Sequence, residues 1–241
     1  MCLKLIKKNR FFMHDNKLEQ NRKTNFLINK IYNFIFGEKF SKKIDFNFDK
    51  RNRLDLIKYI IKKKDYKKYL EIGCHNNEVF DKIEIDKTGI DPISGGNFRG
   101  TSDEFFEKNE LNFDCIFIDG LHEYKQVNRD IVNSIKVLNK NGIIILHDCL
   151  PPSISHQRVP RTRYTWNGDV WKAIVEARTW EHVDTHTVLA DQGLGIIKKK
   201  KNTNILKIEN ISFQKLRFKY FYENYSKIMR TISYEDCLNI I

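Results

Sequence analysis

The sequence has no CxxC pair, no run long or apolar enough to span a membrane, and no array of arginines interleaved with aromatics. Each absence removes a class of function. The five cysteines, Cys2, Cys74, Cys115, Cys149 and Cys237, are odd in number and scattered. That pattern argues against a disulfide framework or a structural zinc site and fits a reducing compartment, so a cytoplasmic location is expected. Met1 to Arg10 carries lysines with no sustained apolar stretch after them, so neither secretion nor a membrane span is expected. The missing arginine–aromatic array makes nucleic acid an unfavoured partner, although the formal charge is +12. Most of that excess is lysine spread through Asn- and Ile-rich sequence, as on any solvated face, and net charge bears on association rather than fold.

With 241 residues, 41% of them hydrophobic, the chain can build one sizeable core with appendages. Residues 1–50 are polar, basic and interspersed with aromatics, with a helix expected over Thr24 to Phe36. A lid, a packing arm or a homo-oligomer contact are the readings open for this part. Leu54, Ile57, Ile60 and Ile61 repeat at helical spacing before a short buried strand, Lys68 to Ile72. Thr88 to Ile90 is a second strand, stopped by Asp91-Pro92. Two dense apolar runs follow, Phe113 to Ile118 and Gly142 to Leu146, separated by a helix near Lys125 to Leu138. Such runs read as strands buried on both faces of a parallel sheet, whose ligands bind beyond the carboxyl ends. Asp119, His122, His147 and Asp148 are therefore expected at one rim. His182 to Leu189 and Leu194 to Lys199 are joined by four residues, too few for a crossover helix, so they should form an antiparallel hairpin.

A reversed final hairpin on a doubly wound sheet resembles the class I S-adenosylmethionine (SAM) methyltransferases, over roughly Tyr69 to Lys199. Tyr69-Leu70-Glu71-Ile72-Gly73 is similar to that family's first motif, without the further glycines of GxGxG. The missing glycine also argues against NAD, whose pyrophosphate needs close backbone approach. The resemblance implies an α/β, Rossmann-like, mostly parallel seven-stranded sheet with the C-terminal antiparallel hairpin. It divides the chain into a basic N-terminal arm or helical lid (1–50), a SAM-binding domain (51–200) and a C-terminal helical extension (201–241). It also implies that Glu71 faces the methionyl ammonium, that Gly73 turns the backbone beside the cofactor, and that Asp91 binds the ribose. Ser102 and Asp103 then stand beside the adenine, with Asp119 at the same site.

The segments Asp119-Gly120-Leu121-His122 and His147-Asp148 resemble small-molecule O-methyltransferases acting on sugars, glycosylated antibiotics and catechols. That resemblance makes Asp119, His147 and Asp148 candidate ligands of a divalent cation, Mg or Mn, and His122 or His147 candidate general bases. The segment from Cys149 to Gly168 holds His156, Arg158, Arg161, Arg163, Tyr164 and Trp166, an Arg-and-aromatic set suited to a phosphate, carboxylate or sugar ring. Trp166-Asn167-Gly168-Asp169-Val170-Trp171 is similar to bacterial methyltransferases of polysaccharide-biosynthesis type. The function expected is SAM-dependent O-methylation of a small, anionic or glycosylated acceptor, such as a surface-polysaccharide precursor. An RNA methyltransferase and a catalytically silent SAM-binding assembly protein are the alternatives.

Overall fold

The computed structural model describes residues 23–208 and 212–241. Helix α1 (Lys23–Phe36) is followed by an extended stretch and by α2 (Arg53–Lys64), which starts at a capping box formed by Asn52 and Asp55. The box satisfies amide groups that the first helical turn leaves without partners. Then come β1 (Lys68–Ile72), β2 (Asp86–Asp91), the two-residue β3 (Phe98–Arg99), α3 (Ser102–Lys108) and β4 (Phe113–Ile118). The second half runs through α4 (Tyr124–Val137), β5 (Leu138–Leu146), the one-turn α5 (Ile154–Gln157), α6 (Trp171–Ala177), β6 (Asp184–Val188) and β7 (Leu194–Lys198). It closes with α7 (Phe218–Met229), β8 (Thr231–Ile232) and α8 (Tyr234–Ile240).

All strands join one sheet in the order β3-β2-β1-β4-β5-β7-β6-β8. Strands β1 to β5 pair in parallel, whereas β7 runs antiparallel to both β5 and β6. The fold is the doubly wound α/β arrangement with a reversed hairpin. Among the described residues the sheet has eight strands rather than the expected seven. The additional strand, β8, pairs in parallel with β6 through Thr187↔Thr231 and Val188↔Ile232. Two residues carry no periodicity, and β8 exists because α7 delivers the chain to the open edge of β6.

Alternation along the strands sends side chains to two separate cores. Leu70, Ile72, Ile116, Ile118, Ile144 and Leu146 pack with Ile131 of α4 and Trp171 of α6. Tyr69, Cys115, Phe117, Ile143 and Ile145 pack on the other side with Leu56, Ile57 and Ile60 of α2 and Cys237 of α8. Glu71 lies between Leu70 and Ile72, so the period of two turns it towards the α2 side. Trp171 is fully buried, its Nε1 donating to Gln157 Oε1 at 2.6 Å. The described cysteines, Cys74, Cys115, Cys149 and Cys237, are all reduced and buried. Cys2 and residues 4–10 lie outside the described residues.

The expected N-terminal helix is present, and its described part packs on the carboxyl-end loops. The Ile44 amide donates to Pro152 O at 2.9 Å, and the Asp49 amide donates to Leu189 O at the same distance. Asn29 Nδ2 donates to Arg161 O at 2.7 Å and Asn33 Nδ2 to Pro160 O at 3.1 Å. Helix α1 therefore turns buried amides inward onto the loop that follows β5. Among the described residues no helix is long and apolar enough to cross a membrane.

Candidate active site

The ends of β1, β2 and β4 open into one cavity of about 490 Å³. The chain leaves β1 through Gly73, whose φ is 93°. A side chain there would meet Asp119 O at 2.2 Å, so only glycine lets the β1 and β4 exits come this close. Downstream, His75 and Asn77 also have positive φ, 48° and 64°. They stand at alternate positions after Gly73, where GxGxG would place its later glycines. Asn and His tolerate the left-handed region better than most residues, so the turn survives without those glycines.

Glu71 is 2% exposed and lines the cavity, with Tyr69 donating its hydroxyl to Glu71 Oε2 at 2.7 Å. Burial pushes the Glu71 carboxyl up to about 7, and the Tyr69 hydrogen bond offsets only part of that. Asp91 lines the cavity as well and fastens its own loop. Its Oδ1 accepts the amides of Ile93 (2.7 Å) and Ser94 (2.9 Å), and its Oδ2 accepts the His75 amide at 2.9 Å. Ser102 lines the cavity and donates to Asp130 Oδ1 at 2.6 Å. Asp103 lies outside the lining, paired with Arg129 at 3.2 Å. Gln126 reaches Ser102, Asp103 and Asp130, and with Asp130 it completes this wall.

Beyond the β4 and β5 ends lies a compact charged cluster. His147 Nδ1 is 3.2 Å from Asp119 and 3.1 Å from Asp148, and its Nε2 is 3.4 Å from Asp191. His122 is 3.4 Å from Asp119 and 3.2 Å from Asp148. Arg53, from the first turn of α2, brings Nη1 to 3.1 Å from Asp119 and Nε to 3.3 Å from Asp191. Although burial opposes it, the charge of Asp148 holds both imidazoles above their ordinary pKa, His147 the more strongly; Asp119 is held well below the carboxylate range, chiefly by His147. Three carboxylates thus face two imidazole rings and a guanidinium, whose Nη1 also lies 3.0 Å from His147 Nδ1 and 2.9 Å from its Nε2.

The two histidines differ in access. His122 lines the cavity and is 21% exposed, whereas His147 is 3% exposed and lies outside the lining. Trp166 explains the posture of His122. The two rings stack at 5.2 Å with 20° between their planes, and His122 Nδ1 lies 2.7 Å from Trp166 O. Asp119, His122 and Asp148 each offer a ligand atom, all within 4.8 Å of one another. His147, the imidazole expected from the sequence to join Asp119 and Asp148, lies as close to both carboxylates as His122 does. Two carboxylates and an imidazole are a donor set that suits Mn²⁺ better than Mg²⁺, whose ligands are oxygens.

The segment after β5 divides. Arg161 lines the same cavity, its guanidinium 5.6 Å from the Trp166 ring and 5.7 Å from that of Phe26. Arg158, Arg163 and Tyr164 face a separate pocket, and His156 accepts the Asn167 and Gly168 amides at its backbone oxygen. Arg53, Gln126, Asp130 and Asp191 were not singled out from sequence. They reach the site from a helix start, a helix middle and a hairpin turn, and no spacing links them.

Residues 70–149 match the model of a family described as a methyltransferase domain. Among curated proteins none matches the sequence. An SAH-bound methyltransferase from Podospora anserina is 15% identical, with 78% of this chain and 94% of that one covered and a TM-score of 0.48. An O-methyltransferase from Bacillus cereus in complex with SAH is 10% identical, covering 78% and 96%, at 0.46. An O-methyltransferase of tomaymycin synthesis from Streptomyces achromogenes, in complex with SAM, is 10% identical, covering 61% and 79%, at 0.45. The matched stretch, a third of the chain, contains the β1, β2 and β4 exits that build the cavity and the β5 exit that carries His147 and Asp148.

Proposed function

We propose that this enzyme transfers the SAM methyl group to a hydroxyl of a small, anionic or glycosylated acceptor, such as a precursor of surface polysaccharide. One observation carries the reading: a single cavity is lined both by Glu71, Gly73 and Asp91 and by Asp119, His122 and Arg161. Cofactor and acceptor groups thus share one space. Glu71 would face the methionyl ammonium, and the bare backbone of Gly73 would lie along the cofactor. Asp91 would take the ribose through the lone pairs left on its carboxylate, and Ser102 would stand beside the adenine.

Methyl transfer from a sulfonium is an in-line displacement, so the protein has to align the acceptor oxygen and dispose of its proton. His122 is the imidazole that reaches the cavity, and Trp166, Asp119 and Asp148 fix its ring. Arg161, whose Nε and Nη2 donate to Arg163 O and Tyr164 O, would hold an anionic or sugar acceptor over it through its positive charge and its aromatic neighbours. A divalent cation held by Asp119, His122 and Asp148 would add hydroxyl acidification. Arg53 and His147 already balance the same carboxylates, so the cluster is also charge-closed without one.

The test supplies SAM with a deuterated methyl group to sugar phosphates and catechols and locates the methyl by mass spectrometry and NMR. Transfer to oxygen is expected, and His122→Ala should lower kcat by roughly 10²- to 10⁴-fold with SAH affinity unchanged. Loss of turnover on chelation, restored by Mg²⁺ or Mn²⁺, is the metal outcome; full turnover in chelator is the metal-free one. Transfer to nitrogen, or SAH binding with no transfer to any hydroxyl, would overturn the assignment.

A further inference from the structure

Beside the cofactor cavity lies a second, open pocket of about 610 Å³, walled by α1 and the segment after β5. Its polar lining is Lys30, Arg158 and Arg163 together with Ser155, Thr162 and Thr165, and among the described residues it contains no carboxylate. Arg51, Arg53, Arg99, Arg129 and Arg230 each have a carboxylate oxygen within 4.0 Å. Among the described residues, Lys30, Arg158 and Arg163 have none. The Nε atoms of Arg158 and Arg163 are also buried without a hydrogen-bond partner. Buried N–H groups are rarely left so, and the two belong to a wall whose positive charge no carboxylate of the described residues balances. Burial first, and then the charges of Arg163 and Lys43, push the pKa of the neighbouring His156 down to about 4.

We propose that this pocket binds a phosphate or diphosphate group carried by the methyl acceptor; the acceptor clause rests on the function proposed above. Guanidinium forks and hydroxyl donors without acid are the chemistry that phosphate oxygens require. Phe26 and Tyr164, in edge contact at 5.0 Å, flank the pocket with ring faces on which a sugar can lie. The pocket is tied to the reaction centre through the backbone. Arg158 O accepts Trp166 Nε1 at 2.7 Å, and Trp166 stacks on His122. Arg161, two residues before Arg163, lines the cofactor cavity. An acceptor anchored by its phosphate would therefore reach past Arg161 towards His122, and the phosphate would select which hydroxyl arrives there.

Calorimetry of the full chain saturated with SAH, titrated with inorganic pyrophosphate at constant ionic strength, tests the site. Saturable binding is expected, weakened at least tenfold in Arg158→Gln/Arg163→Gln and severalfold in Lys30→Gln, with SAH affinity retained in both. Lys30 is exposed on α1, so its variant keeps the test meaningful if the double variant misfolds. A parallel arm uses phosphatidylcholine vesicles with and without phosphatidylglycerol. A pyrophosphate response puts the phosphate on a soluble acceptor; vesicle binding lost in the same variants puts it on a lipid-linked one. No binding in either arm, binding unchanged in the variants, or pyrophosphate that competes with SAH would overturn the site. Transfer to neutral alcohols without anion binding would remove the pocket and leave O-methylation standing; anion binding without transfer would do the reverse.

Discussion

Glu71 is an acid placed where ionising is costly. Its carboxyl, raised to about 7 from 4.5, binds a proton more tightly in the folded chain than in the unfolded one. A raised acid contributes stability that is fully present below its unfolded pKa and is lost as pH climbs through the folded value. Between pH 4.5 and 7 that loss amounts to about 3 kcal/mol. A cofactor ammonium beside Glu71, as proposed above, would favour the ionised form and recover part of this cost. SAH affinity should therefore rise from pH 6 to pH 8, with a proton released on binding at the acid end. In Glu71→Gln the slope should vanish and affinity should fall at pH 8. Calorimetry in buffers of different ionisation enthalpy measures both, and a pH-independent parent affinity would place the ammonium elsewhere.

At the scale of elements, α1 holds in place the segment after β5 that is proposed to meet the acceptor. Asn29 and Asn33 are buried and donate to the carbonyls of Arg161 and Pro160, so the helix sets the path of the chain that carries Arg161. Each hydrogen bond contributes about 1 kcal/mol. Asn29→Ala/Asn33→Ala should therefore lower Tm by a few degrees and raise the acceptor KM, while SAH affinity holds. If SAH binding falls and KM does not change, α1 serves the cofactor side instead.

The elements also show what was legible in advance. Phe113 to Ile118 and Gly142 to Leu146 announced buried strands, because apolar runs with turn residues at each end have few other resting places. The four residues between the last two runs announced the hairpin. The strands β3 and β8 were not legible, since each is two residues held by neighbours rather than by its own pattern. The surroundings of the two strand-end histidines were not separable either. His122 and His147 both follow an apolar strand, and the difference in their access is made by distant groups: Trp166 stacks on one, and Asp191 and Arg53 hold the other. Convergence of that kind leaves no spacing to read.

Across the whole molecule, the two cores on opposite faces of the sheet each contain thiols. Cys149 lies in the core with α4, α6 and α7, while Cys115, Cys74 and Cys237 lie in the core with α2 and α8. Burial raises all four thiols, with Cys237 pushed up to about 12, so at neutral pH they are protonated as well as shielded. An alkylating reagent can then reach them only when the structure opens. Labelling of Cys115 and Cys149 should proceed together at the global opening rate, since both sit in or directly after central strands. Cys237 should react sooner, because a seven-residue helix can open alone. Mass spectrometry of timed samples reads each site separately, and equal rates at all three would show that α8 opens only with the sheet. The sealed thiols thus act as clocks: the modification each has gathered records how long its side of the molecule has stood open.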